Sequence, residues 1–119
     1  KINDKFGHPA GDKVLIEVAK QLKSSLRQTD VLARIGGEEF SILLPETSAD
    51  EAEVFAERLR LAQSQLRITG DWHGEIQLSV SIGISSYQQS DNNFDQIFSR
   101  ADKALYQAKN SGRNRVCRQ

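Results

Sequence analysis

Two short apolar runs, VLARI (31–35) and FSILL (40–44), stand on either side of GGEE, and no other feature restricts the possible folds as much. β-Branched and aromatic residues favour strands, and two such runs joined by a glycine-rich tetrapeptide read as an antiparallel hairpin, stopped after its second strand by Pro45. Glycine at both turn positions, Gly36 and Gly37, permits positive φ without steric penalty and leaves no side chain to hold a ligand away from the backbone. A turn needs neither of the glutamates beside them. On extended backbone Glu38 and Glu39 point to opposite faces, so only one of them can serve a given site. Two readings stay open: solvated charges on a Gly-Gly turn, or a carboxylate that holds Mg²⁺ against an anion, since that ion is commonly bound by one or two carboxylates plus phosphate oxygens.

The rest of the chain supplies helices to pack on such a hairpin. KINDKFGHPAGD (1–12) is polar, with two glycines and a proline, and reads as a loop or a short broken turn, with Asp12 placed to cap the helix that follows. Val14, Leu15, Val18, Ala19, Leu22 and Leu26 recur at helical spacing over about 13–27. Ser48 and Glu51 form a capping box ahead of a second amphipathic helix with Ala52, Phe55, Ala56, Leu59 and Leu66 on its apolar face. Ile76, Leu78, Val80, Ile82 and Ile84 alternate with small or polar residues, which predicts a strand over 75–86. Phe94, Ile97, Phe98, Ala101, Leu105 and Ala108 define a third helix, closed by Gly112 and followed by a short strand at about 114–117.

This order predicts an α+β fold, a mixed or antiparallel sheet flanked by helices, in one domain over 1–119. A strand ahead of the first helix would complete the pattern, and we expect neighbouring residues of a longer protein to supply it. The lack of any methionine in the 119 residues points the same way.

Charge narrows the function. Sixteen basic residues balance sixteen acidic ones, so no global field draws in a nucleic-acid polymer or an anionic membrane, and any anion site must be local. The best candidate is the tail KNSGRNRVCRQ, with Lys109, Arg113, Arg115 and Arg118 and no acid among them. Cys117 is the single cysteine, which excludes an internal disulfide and suits a reducing compartment.

RxGGEEF, with INDxFGHxxGD ahead of it, VSIGIS after it and ADKALYQAKNSGRN near the end, resembles the GGDEF family of diguanylate cyclases, in order and over nearly the whole chain. The resemblance implies a palm-like, ferredoxin-like core that condenses two GTP molecules into cyclic di-GMP and releases pyrophosphate. Each domain would bind one GTP, so the catalyst would be a homodimer, with regulatory domains elsewhere in the same chain and a cytoplasmic location whether or not the longer protein is anchored in a membrane. By the same resemblance Glu38 ligates Mg²⁺ or Mn²⁺, Gly36 and Gly37 make room for the polyphosphate, Glu39 hydrogen-bonds or acts as a base, and Phe40 is core.

Asn3 and Asp12 match the family's guanine-recognising positions; a carboxylate can accept the side-by-side N1–H and N2–H₂ donors that adenine lacks. The plainer alternatives are a loop residue and an N-cap. Lys109 and Arg113 match the pair that holds GTP phosphates, a point charge and a planar fork suited to phosphate oxygens, and are also favourable charges at a helix C-terminus. Arg27 and Asp30, an RxxD pair five residues before the signature, match the inhibitory product site, and otherwise form a helix-end ion pair.

The family's metal-binding aspartate and its neighbouring carbonyl, carried on the strand before the first helix, have no counterpart here. The chain by itself is therefore expected to bind Mg²⁺ poorly, while the intact parent is expected to be an active cyclase. The alternative is a catalytically silent receptor for GTP or cyclic di-GMP, or a dimerisation domain.

Overall fold

A computed structural model describes residues 8–36, 39–70 and 74–119. The chain divides into two compact units, residues 1–45 with 65–78 and residues 46–64 with 79–119.

In the first unit, helix α1 spans His8–Ser25. It starts five residues before the predicted onset, because Pro9 in the first turn removes only an N–H that has no intrahelical partner anyway. Gly11, expected to break the chain, is buried inside the helix. Asp12 therefore lies within α1 and does not cap it; this corrects the N-cap expectation. Val14, Val18 and Leu22, spaced four apart on one face, are buried as predicted.

Strands β1 (Val31–Gly36) and β2 (Glu39–Leu43) form the expected antiparallel hairpin. Val31 faces Leu43, Arg34 faces Phe40 and Gly36 faces Glu39, so Ile35 is an extra residue and makes a bulge. Val31, Ile35 and Leu43 are about half exposed, and Phe40, expected in the core, is only half-buried. A two-stranded ladder covers little of its own apolar surface. Ile68 and Ile76, each 3% exposed, exchange two backbone hydrogen bonds of 3.0 and 2.8 Å as an isolated antiparallel bridge.

The second unit contains α2 (Ala49–Ser64), β3 (Ile82–Ile84), α3 (Phe94–Asn110) and β4 (Val116–Arg118). The capping box forms as predicted: the Glu51 amide donates to Ser48 Oγ at 3.1 Å and the Ser48 amide donates to Glu51 Oε1 at 3.0 Å. Strands β3 and β4 pair in parallel, Gly83 facing Cys117, with α3 as the connection between them. Helix α3 packs on both strands, and its fully buried residues are the small ones, Ala104 and Ala108. A Cβ at Gly83 would run into Leu105 N and Ala101 O, so this glycine sets how closely the helix approaches the sheet.

The predicted strand 75–86 is thus divided. Ile76 bridges in the first unit, Ile82–Ile84 pairs in the second, and 77–81 joins no ladder among the described residues. Alternation marks which side chains are buried, but a strand also needs a backbone partner, which the pattern does not report. The α+β class holds, with one antiparallel and one parallel strand pair among the described residues.

Candidate functional site at the GGEEF hairpin

The hairpin presents its signature at its closed end. Gly36 pairs with Glu39, and Gly37 and Glu38 between them lie outside the described residues, as does Asn3. Gly36 has φ of 159°, a positive value that residues with a side chain rarely adopt, as expected of a glycine beside this turn. The space around it is open as well: a Cβ built on Gly36 would meet no heavy atom within 4 Å. Glu39 is exposed at the start of β2, and Asp12 is exposed on α1.

Arg27 and Asp30 are brought together in the same unit. The Arg27 guanidinium donates to both Asp30 oxygens, with Nη2 to Oδ1 at 2.8 Å, and Nη2 also donates to the Pro45 carbonyl at 2.9 Å. The Arg27 amide adds a bond of 2.8 Å to Asp30 Oδ2. The hydrogen-bonded Arg27 side chain holds the Asp30 carboxyl below the usual carboxylate range, although burial works against it. Asp30 is therefore an ionised acceptor at neutral pH, its side chain 1% exposed, while that of Arg27 is 55% exposed.

In the second unit, Lys109 and Arg113 stand at the C-terminal end of α3. Ser111 caps the helix, and Gly112 follows at φ 127° as the expected terminator. The Arg113 amide then reaches back to the Ala108 carbonyl at 2.9 Å, the six-to-one bond of a Schellman-type ending. Lys109 is half-buried and Arg113 exposed, with favourable charge for the helix dipole. Two shallow clefts in this unit, of about 320 and 470 Å³, take in Arg115 of the basic tail, which lines the first, but neither Lys109 nor Arg113.

Sequence reasoning missed the network behind Arg113, formed by Glu57, Arg60, Ser81 and Asn114. It also missed the pair Asp91–Arg100. Arg100 donates to both Asp91 oxygens at 2.6 and 2.7 Å and to the Ser86 carbonyl at 2.7 Å, fastening the 86–91 loop to α3. No local spacing signals a contact across nine residues. Asn directly after Gly-Arg was the one available clue to the turn, since Asn tolerates left-handed backbone.

Among the described residues no three His, Cys, Asp or Glu side chains gather where they could hold a metal ion. The described residues therefore do not fit a metal site by themselves, and Glu38, the predicted ligand, lies outside them. No described helix is long and apolar enough to cross a membrane.

Comparison with known proteins decides the family. Residues 1–115 match the family described as diguanylate cyclase, GGDEF domain. The chain belongs to the GGDEF family. It is 50% identical over 115 residues to diguanylate cyclase A of Treponema denticola, an alignment that covers 97% of this chain and 31% of the relative. The active GGEEF domain of a diguanylate cyclase from Vibrio cholerae is 37% identical with a TM-score of 0.86, covering 98% of this chain and 73% of that one. The GGDEF domain of DgcB from Caulobacter crescentus, solved in complex with c-di-GMP, is 30% identical with a TM-score of 0.92, covering 98% and 69%. The palm-like GGDEF fold expected from the resemblance is thereby established. The chain spans between 17 and 32% of the length of curated relatives that it matches.

Proposed function

We propose that the full-length protein is a diguanylate cyclase, with residues 1–119 as its GGDEF domain. The observation that carries this reading is the GGEEF signature at the closed end of a hairpin, in a chain that matches the family over residues 1–115. The reaction joins the 3′-hydroxyl of one GTP to the α-phosphorus of another and expels pyrophosphate, so each partner needs its phosphates neutralised and its line of attack fixed.

Lys109 and Arg113 supply the charge for phosphate oxygens, and Gly36 and Gly37 let a polyphosphate approach the backbone. Asn3 and Asp12 read guanine by its donor and acceptor edges. Glu38 is the carboxylate for Mg²⁺ or Mn²⁺, which when bound would polarise the phosphoryl oxygens. Glu39 orients groups by hydrogen bonding. Two domains, each with one GTP, pair for the reaction, under the control of other domains of the same cytoplasmic chain.

Arg27 and Asp30 form a product site. Arg27, more than half exposed, can exchange the Pro45 carbonyl for a phosphate or a guanine face, and Asp30, 1% exposed with both oxygens bonded to Arg27, accepts from guanine N1–H and N2–H₂ once Arg27 turns to the ligand. Product held there would keep two domains from pairing productively.

The test is to supply the full-length protein with GTP and Mg²⁺ and to look for cyclic di-GMP and pyrophosphate. Absence of both would overturn the enzymatic reading. Tight binding of cyclic di-GMP in calorimetry without turnover would make the protein a receptor.

A further inference from the structure

Helix α3 could end on Gly112 alone, yet the chain continues through two further residues in the left-handed region, Arg113 at φ 62° and Asn114 at φ 48°. Asparagine tolerates this conformation, but arginine has no such preference and must be held in it. Four hydrogen bonds fix the two residues, two at Arg113 and two at Asn114. The Arg113 amide donates to Ala108 O at 2.9 Å, and Arg115 Nε donates to the Arg113 carbonyl at 3.1 Å. The Asn114 amide donates to Ser81 Oγ at 3.1 Å, and Asn114 Oδ1 accepts from Arg60 Nη1 at 2.8 Å. Arg60 is itself fixed, because Nε and Nη2 both engage the Glu57 carboxylate. That contact raises the Arg60 pKa and lowers that of Glu57.

Strained backbone persists only where its surroundings over-determine it, and such surroundings cluster at functional sites. Here α2 and the segment before β3 converge on Asn114, the residue next to an exposed cation, whose own amide is tied to the end of α3. We propose that Asn114, clamped by Arg60 and Ser81, is a positioning residue that aims Arg113 at the terminal phosphates of the nucleotide. This inference rests on the reading of Arg113 as a phosphate-binding residue. Asn114 never touches the nucleotide; it fixes the backbone from which Arg113 reaches.

The experiment compares affinity for 3′-deoxy-GTP and 3′-deoxy-GMP in the full-length protein, since the ratio reports contacts to the outer phosphates and neither probe can attack. Arg113→Ala should lower the ratio about 10-fold, the loss expected for one charge-assisted contact. Asn114→Ala should lower it by about 5- to 10-fold with 3′-deoxy-GMP affinity unchanged, and in the Arg113→Ala background it should add nothing. Asn114→Asp, which keeps both the acceptor and the tolerance of left-handed backbone, should retain the wild-type ratio. Arg60→Met supplies the same test from the other partner and should lower the ratio as Asn114→Ala does, including where Asn114→Ala does not fold. An unchanged ratio in Arg113→Ala overturns the phosphate reading, and the positioning role with it. A lowered ratio there, with an unchanged ratio or an equal loss for both probes in Asn114→Ala or Arg60→Met, overturns the positioning role alone.

Discussion

The backbone of Leu105 lies across Gly83 so closely that no Cβ fits between them. The obstructing atoms belong to the main chain of a helix and cannot turn aside as a flexible side chain would. Gly83→Ala should therefore push α3 off β3 and destabilise the protein by about 1–3 kcal/mol, the usual range for overpacking. Chemical denaturation of the variant should show a lower midpoint with the same slope. An unchanged midpoint would mean that helix and strand separate freely, contrary to the contact described.

A second prediction concerns the latch between Asp91 and Arg100. The hydrogen-bonded guanidinium holds the Asp91 carboxyl down at about 2, against an ordinary value of 3.8. A carboxyl whose folded pKa is depressed adds stability that is fully present above its unfolded value and is lost as pH falls through the folded one. Asp91→Asn should lower the melting temperature by several degrees at neutral pH, and its deficit against the wild type should close as pH falls from about 4 towards 2. A deficit independent of pH would show that the ionised form of Asp91 has no part in it.

Glu38→Gln keeps side-chain shape and removes the charge. If Glu38 is a metal ligand, turnover of GTP in the full-length protein should fall by about 10²-fold or more, with circular dichroism and melting unchanged. Full activity in this variant would remove the metal role.

Arg27→Ala removes both the contact to Pro45 and the partner of Asp30. Inhibition by added cyclic di-GMP should weaken by about 10-fold or more, as expected for loss of a charged, stacking contact, while the initial rate without product stays the same. Unchanged inhibition would take Arg27 and Asp30 out of regulation and leave them as a helix-end ion pair.

Much of this was legible before any coordinates. The hairpin, the Ser48–Glu51 box and the Gly112 ending all follow from local rules, because a turn, a cap or an amphipathic face is fixed by residues within a few positions of one another. The signature residues were visible for the same reason.

Other features required the folded chain. Helix α1 runs through Pro9 and Gly11 and puts Asp12 in its interior, where local propensity had placed a loop and a cap. The alternating stretch 75–86 splits between a bridge at Ile76 and a strand at Ile82–Ile84, since only tertiary pairing decides where a ladder forms. Arg60 meets Asn114 across 54 positions, and Gly83 meets Leu105 across an intervening loop.

The sequence by itself thus determined the family, the hairpin that carries GGEEF and which residues could meet guanine, phosphate and metal, because those are properties of residue type and short spacing. Only the tertiary structure decided that Arg27 also reaches the Pro45 carbonyl, that α3 lies flush on Gly83, and that the left-handed turn at Arg113 and Asn114 is held at Asn114 by side chains from elsewhere. Such contacts form between distant segments, whose meeting depends on how the whole chain packs and leaves no periodic trace in any one of them.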